Sequence, residues 1–331
     1  MIIKIKECDL QYHIAFTKNE DILKEMLDKN YTVAYLKDNN LTLYPMNKEI
    51  ILTNEEKKQL SKVADYSIFE MTPGNVYIYY DASSLDNALF ITNRCNSNCI
   101  MCPVSSIVRK NDPIENISTL LKIGSQIPND SAHITITGGE PFLLRKDIFT
   151  LFQFLKDHLN SVEYLLLTNA RALSNKEYFE LFRQTIPDNL LIGIPIHGSN
   201  EKRHDTITRA KGSFKQTMMA LHHLMSTHIR VEIRIVVSQL NIDDLQQIAQ
   251  LIIKECKRVY TVKFIGLEML GNARRNLNDV WIDYKESFLK MKSAIDLLVK
   301  NEIDVGIYNY PLCCVDQPYW SLCEKSITDY K

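Results

Sequence analysis

Seven short apolar runs of β-type residues, all but the last followed by a helical pattern, organise the chain from Ala88 onward. They cover 88–92, 133–137, 162–168, 190–196, 231–237, 262–267 and 304–308. Runs that are apolar nearly throughout belong to strands buried on both faces, as in parallel sheets with helices outside. The helical patterns between them centre on 117–127, 148–159, 176–182, 214–225, 245–255 and 284–299. Ser174-x-x-Glu177 and Ser213-x-x-Gln216 read as capping boxes, and Asn241 reads as an N-cap. Six strand–helix units in succession predict an α/β fold, a partial (β/α)6 TIM-like barrel over residues 86–310. In such folds the chemistry sits on loops after the C-terminal ends of strands.

Residues 1–85 lack this rhythm and predict a small α+β domain. Short strands are expected over 2–6, 32–36, 41–44 and 76–80, with a helix near 21–28. A second helix opens at the capping box Thr53-x-x-Glu56, and Pro73-Gly74 marks a turn. The length of 331 residues suits two such units, at about 150 residues each, without a disulfide scaffold. A net charge of −1 leaves no global basic field for nucleic acid or an anionic membrane. No apolar run approaches the ~20 residues that cross a bilayer. The first ten residues carry Lys4, Lys6 and Glu7, so they read as a strand and not a secretory signal. A cytoplasmic protein is expected.

Eight cysteines are many for such a chain, since cytoplasmic thiols stay reduced. Three of them, Cys95, Cys99 and Cys102, fall in the loop after the first apolar run. That loop reads Asn93-Arg94-Cys95-Asn96-Ser97-Asn98-Cys99-Ile100-Met101-Cys102-Pro103. Three readings are open: incidental buried thiols, a zinc site borrowing a distant ligand, or an iron–sulfur cluster. A structural zinc site wants four ligands, and no fourth Cys or His lies nearby. Three thiolates on a 4Fe-4S cubane leave one iron open for an exogenous ligand, and the spacing and position favour this reading.

The loop resembles the hallmark of the radical SAM superfamily, and the resemblance spans roughly residues 88–310. Thr137-Gly138-Gly139-Glu140-Pro141, after the next strand, resembles the family's Gly-Gly-Glu-Pro element. There paired glycines allow close backbone approach to a ligand, and Glu140 offers a carboxylate to the amino group of S-adenosylmethionine. The resemblance implies a 4Fe-4S cluster on the three cysteines, with S-adenosylmethionine at the open iron. One electron passed to the sulfonium then yields methionine and a 5′-deoxyadenosyl radical that abstracts hydrogen from carbon. It also implies a low-potential electron donor of flavodoxin or ferredoxin type. Met101 and Leu267 stand where relatives pack on adenine. Asn169 is a polar pocket candidate. Ala170 replaces a glycine frequent in relatives, which counts against any role there that needs a positive φ.

His197 and Ser199 follow the fourth strand, where they reach the ribose or substrate or simply form a turn. Arg234 pairs either with the carboxylate of S-adenosylmethionine or with a nearby acid such as Glu232. The stretch from His204 to Phe214 reads as a loop feeding a helix, and Arg274-Arg275 as a solvated loop. No residue is assignable to catalysis beyond the three cluster ligands. Residues 311–331 hold Cys313, Cys314 and Cys323, an incomplete set that resembles the start of an auxiliary-cluster region in SPASM-type relatives. Cys8 and Cys256 read as small buried apolar residues.

The loop wording, Thr-Gly-Gly-Glu-Pro, and Ser326-Ile327-Thr328-Asp329-Tyr330 together resemble the radical SAM maturase of the His-Xaa-Ser repeat system. That implies a ribosomally made peptide substrate, oxidative tailoring or cross-linking of its side chains and a possible partner radical SAM protein. The N-terminal domain would bind a leader peptide at a sheet edge or cover the barrel. Rival readings are a radical SAM enzyme acting on RNA or a small metabolite, and a non-catalytic iron–sulfur or zinc module. Near-neutral charge weighs against nucleic acid.

Overall fold

In a computed structural model that describes residues 2–5 and 12–324, two seven-stranded sheets form. The first holds β1 (Ile2–Lys4), β2 (Tyr12–Thr17), β3 (Val33–Lys37), β4 (Asn40–Tyr44), β5 (Lys48–Ile51), β6 (Ser67–Thr72) and β7 (Asn75–Tyr80). Its order is β1-β7-β6-β2-β3-β4-β5, antiparallel except where β2 pairs with β3. Ile14, Phe16, Leu41, Phe69 and Met71 fill its buried face. The sequence pattern missed β2, β5 and β6, because His13, Lys48, Glu49 and Glu70 interrupt their apolar character. The Thr53–Glu56 capping box forms as expected at the head of the helix Asn54–Leu60.

The second sheet holds β8 (Asn87–Phe90), β9 (His133–Thr137), β10 (Glu163–Leu167), β11 (Leu190–Pro195), β12 (Arg230–Val236), β13 (Thr261–Ile265) and β14 (Asp304–Tyr308). All pair in parallel and in chain order, so β8 and β14 are the edges of a partial TIM-like barrel. Ile134, Leu166, Ile192, Ile233 and Phe264 point outward into the layer packed by the helices, among them Asp147–His158, Leu245–Glu255 and Tyr284–Lys300. The two sheets are tied locally, for instance by Tyr79, whose hydroxyl donates to the Phe90 carbonyl at 3.2 Å.

Several local expectations shift. The helix Lys176–Thr185 is capped by Asn175, whose side chain accepts from the Tyr178 N–H, while Ser174 turns back to the Arg171 carbonyl. Gly212, not Ser213, is the N-cap of the helix Ser213–Met225, and the Ser213 hydroxyl donates to Asp205 instead. Asn241 makes no capping bond, and its amide closes the preceding turn on Ser238 and Val236. Two segments expected as loops are helices, Glu201–Thr208 and Gly271–Arg275. Ala170 does take the left-handed conformation, at φ 57° and fully buried.

After β14 the chain folds back along the sheet edge. Cys323 forms a parallel bridge with Ile307, and the Glu324 N–H donates to the Ile307 carbonyl at 2.9 Å. The Glu324 carboxylate reaches into the barrel to pair with Lys263. Cys256 is fully buried. Cys8 and Ser326 to Tyr330 lie outside the described residues. Among the described residues no helix is long and apolar enough to cross a membrane.

Candidate active site

The loop from β8 to the first helix of the barrel places Cys95, Cys99 and Cys102 as free thiols, each half-buried, at the C-terminal rim of the sheet. Its conformation is imposed from three sides. On the first side lie the glycines. Gly138 has φ 153°, and a Cβ there or on Gly139 would come under 3.0 Å from backbone atoms of the cysteine loop. The Gly139 N–H donates to the Thr92 carbonyl at 2.5 Å and the Glu140 N–H to the Arg94 carbonyl at 2.9 Å. The close approach that the glycines permit is therefore to the loop's own backbone.

On the second side lies the short helix Gly271–Arg275, in a stretch expected as a solvated loop. The Asn272 N–H donates to the Cys102 carbonyl at 2.9 Å, and its side-chain amide to the Cys99 carbonyl at 3.1 Å. Asn276, one turn on, donates to the Ile100 carbonyl at 3.1 Å. Gly271, with φ 48°, leaves no room for a Cβ against the Pro103 carbonyl. A Gly-Asn pair after a barrel strand, with a second Asn four residues on, was the available signal.

The third support is Arg109, which the sequence reading also passed over. It is only 7% exposed, donates to the Ser97 carbonyl at 2.8 Å and to the Asn98 side chain, and has no partner for its Nε. Among the described residues no carboxylate pairs with it. A buried guanidinium beside Cys95 and Cys99 offsets the negative charge they carry once deprotonated. Its field lowers the Cys95 and Cys99 pKa values, but burial dominates and pushes both up, Cys99 to about 12. Cys95 and Cys99 thus hold their protons as free thiols, and iron must displace them. We expect Arg109→Met to cost about 1.5–3 kcal/mol for the lost charged hydrogen bonds and to halve iron retention or worse. Thermal unfolding and iron content per chain check this.

Glu140 is 1% exposed, and its carboxylate is engaged within the protein. It accepts from the Phe142 N–H at 3.1 Å, the Thr168 hydroxyl at 2.6 Å and the Asn169 N–H at 2.8 Å. Burial raises its pKa while these donors oppose the shift. The effect is to tie the end of β9 to the end of β10, with Pro141 opening the short turn Pro141–Leu144. Asn169 is thereby aimed at the loop, its amide 3.8 Å from the Cys95 sulfur and 2.7 Å from the Asn96 side chain. The Ser97 N–H also donates to that sulfur at 3.4 Å. Such donors orient a thiolate ligand and tune its iron.

Met101 and Leu267 pack together with Ile100 and Ile207 beside Cys99. Both line a cavity of about 720 Å³ inside the barrel, together with Arg234, Tyr308 and Glu232. The same cavity reaches Arg230, Glu163 and His133 at the opposite ends of the strands, so it runs the length of the barrel. Arg234 pairs with Glu232, the alternative the sequence left open, and lies 5.8 Å from the Tyr308 ring centre. His197 and Ser199 do not line this cavity. His197 is buried against His204, and Ser199 gives both its N–H and its hydroxyl to Asp244, each at 2.7 Å. Cys313 and Cys314 sit with their sulfurs 4.0 Å apart, whereas the Cys323 thiol turns to the Tyr319 carbonyl.

Among the described residues no three His, Cys, Asp or Glu side chains converge to hold a single metal ion. A cubane takes each thiolate on a different iron and needs no such convergence. A loop of three thiols with N–H donors on one sulfur, an apolar wall and a buried cation fits that group.

Residues 89–252 match the family model of the radical SAM superfamily. The sporulation killing factor maturation protein SkfB of Bacillus subtilis (strain 168) is 25% identical over 207 residues, covering 60% of this chain and 46% of SkfB. Fe-coproporphyrin III synthase of Methanosarcina barkeri (strain Fusaro / DSM 804) is 23% identical over 220 residues, 63% of this chain and 49% of that enzyme. The chain thus spans about half the length of these curated relatives. The crystal structure of Streptococcus suis SuiB bound to precursor peptide SuiA superposes with a TM-score of 0.54 at 12% identity, covering 87% of this chain and 60% of SuiB. That share is too large for the parallel sheet alone, so the likeness in fold extends into the N-terminal sheet. The family match holds the cysteine loop, the paired glycines and Asn169 within one span, and residues 89–252 are a radical SAM domain, of the superfamily whose cofactors are a 4Fe-4S cluster and S-adenosylmethionine.

Proposed function

We propose that this chain is a radical SAM maturase that modifies a ribosomally made peptide. The observation that carries this is the three-cysteine loop at one end of a cavity running the whole length of the barrel. Cys95, Cys99 and Cys102 would hold the cluster. When bound, cluster and S-adenosylmethionine supply a 5′-deoxyadenosyl radical that takes hydrogen from an unactivated carbon. The chain's own residues do the rest. Arg109, Asn272 and Asn276 hold the loop's backbone. Glu140 fixes Asn169 toward the Cys95 sulfur, while Met101 and Leu267 keep an apolar wall that excludes water. Arg234 offers a guanidinium to a carboxylate within the cavity. His197 packs against His204 and Ser199 anchors Asp244, so in this reading both act by position.

A peptide substrate is supported by the name of SkfB, a maturation protein, and by the peptide in the SuiB structure. Among the described residues β1 and β5 are the edges of the N-terminal sheet, and either can accept a peptide strand. A cytoplasmic setting with a flavodoxin- or ferredoxin-type donor fits the reduced thiols. The test is anaerobic reconstitution with iron and sulfide, then S-adenosylmethionine, dithionite and the peptide encoded beside the gene, deuterated at its side chains. Deuterium in the 5′-deoxyadenosine supports the reading. A brown protein that forms no 5′-deoxyadenosine overturns it. Fe-coproporphyrin III synthase among the relatives favours one second reading, a small metabolite, which deuterium transfer from a porphyrin but not from the peptide would establish.

A further inference from the structure

Three neighbouring strands carry charge into the barrel. Ile233, Phe264 and Ile307 point outward, so Glu232 and Arg234 on β12, Lys263 on β13, and Gly306 and Tyr308 on β14 face the interior. The register sets Arg234 beside Lys263, and Lys263 beside Gly306. Two cations so placed repel, and a buried cation needs its own acid. Arg234 has Glu232, two residues away on the same strand. Lys263 is buried, and its partners are Asp304 at 3.7 Å and Glu324. Asp304 is exposed and already accepts from the Thr261 hydroxyl at 2.6 Å, so Glu324 is the main counterion of Lys263.

Glu324 belongs to no strand or helix of the barrel. It arrives on the segment after β14, held beside Ile307 by one bridge and one N–H. Its carboxylate fills a notch that Gly306 leaves in the wall. A Cβ on Gly306 would come under 3.0 Å from both that carboxylate and the Lys263 side chain. Tyr308 links the notch to the barrel cavity, since it lines the cavity and its ring centre lies 5.8 Å from the Lys263 Nζ. Burial, with the Glu324 carboxylate beside it, raises the Tyr308 pKa, so the phenol keeps its proton as a donor. The same cavity holds a second sign of a ligand. Thr135 is 3% exposed and lines it, yet among the described residues its hydroxyl has no partner. A buried hydroxyl left unpaired is costly, which points to a partner on whatever enters.

We propose that Lys263, Gly306 and Tyr308 form a carboxylate subsite of the barrel cavity, held at rest by Glu324 and taken by an acidic side chain of the substrate. The proposal rests on the reading above that a peptide enters this cavity, and it makes that peptide an acidic one. One carboxylate replaces another, so Lys263 exchanges ion pairs without being left unpaired. An amide of the same shape would leave the buried ammonium without a counterion, which sets the preference for Glu over Gln.

The test uses the reconstituted chain and needs no turnover. Glu324→Ala removes a fragment the size of acetate, so acetate and its neutral isostere acetamide are the first probes. Against chloride at equal ionic strength, acetate should raise the unfolding midpoint of Glu324→Ala saturably, by about 2 °C or more. Acetamide should not, nor should acetate act on the Lys263→Met/Glu324→Ala double variant. Calorimetry then compares two capped alanine pentapeptides, one with a central glutamate and one with a central glutamine. The wild type should bind the first about tenfold more tightly, and the double variant should bind both alike. Equal effects of acetate and acetamide on Glu324→Ala overturn the subsite. A wild type without preference for the glutamate peptide, or binding neither, overturns the exchange and leaves Glu324 a fixed latch. Absence of 5′-deoxyadenosine with dithionite would sink the functional reading separately, since these measurements read binding alone.

Discussion

Gly139→Ala is expected to abolish iron retention, although the substitution adds only a single methyl group. A Cβ at this position would fall under 3.0 Å from the carbonyl oxygens of both Arg94 and Asn93. Those are backbone atoms, so no side chain can swing aside to relieve the clash. The backbones must separate, breaking the bonds from the Gly139 N–H to Thr92 and from the Glu140 N–H to Arg94. Forced overpacking of this kind costs about 3 kcal/mol or more, and Arg94 lies next to Cys95. Gly212→Ala is the matched control. Gly212 also has a positive φ, 76°, but nothing lies within 4 Å of the added methyl. It should cost only ~1–2 kcal/mol of left-handed strain and leave iron content as in the wild type. Iron and sulfide analysis of both variants, with thermal unfolding, separates a local clash from a general intolerance of alanine.

Acid should unfold this protein from an unusually high pH. His197 and His204 are buried side by side, their rings 6.0 Å apart, and His197 Nδ1 has no partner. Burial, with the neighbouring ring's charge, holds His197 at about 3. Burial holds His204 at about 4, partly offset by Asp205. Both folded-state values lie below the ordinary 6.5, so the unfolded chain takes up protons first. Their contribution is complete above pH 6.5 and is lost as pH falls toward 4 and then 3. At about 1.4 kcal/mol per pH unit per histidine, descent to pH 4.5 removes roughly 4 kcal/mol of a typical 5–15 kcal/mol. The double substitution His197→Gln/His204→Gln should flatten the limb between pH 6.5 and 4.5, whatever it does to stability at pH 7. Unfolding midpoints measured across that range check it. An unchanged slope in the double variant would place the acid sensitivity in other groups.

The parallel sheet was legible because its strands are short β-type runs alternating with helical patterns, a signal strong enough to place all seven within about two residues even where Glu232, Arg234 and Lys263 interrupt the apolar character. The cysteine loop was legible for a different reason, since three thiols at that spacing have few other uses. What the sequence hid were the supports of the loop. Arg109 reaches back 12 residues to Ser97, and Asn272 reaches 173 to Cys99. Arginine and asparagine on short helices are ordinary solvent residues until the fold closes around them. The same holds for Glu140, whose carboxylate looked free for a ligand until Thr168 and Asn169 were seen to claim it. Caps were missed by one residue at Ser174 and Asn175, where two polar neighbours compete and only the chain's entry angle decides. Ala170 shows the opposite error, since a buried site can impose a positive φ on a residue that disfavours it.

The most direct measurement is 5′-deoxyadenosine formation with dithionite and S-adenosylmethionine in single Cys→Ala variants of the reconstituted protein. Cys95→Ala, Cys99→Ala and Cys102→Ala should each lose the brown colour and the product, while Cys256→Ala and Cys313→Ala keep both. Product formation retained in any of the first three would contradict the assignment of the cluster to this loop.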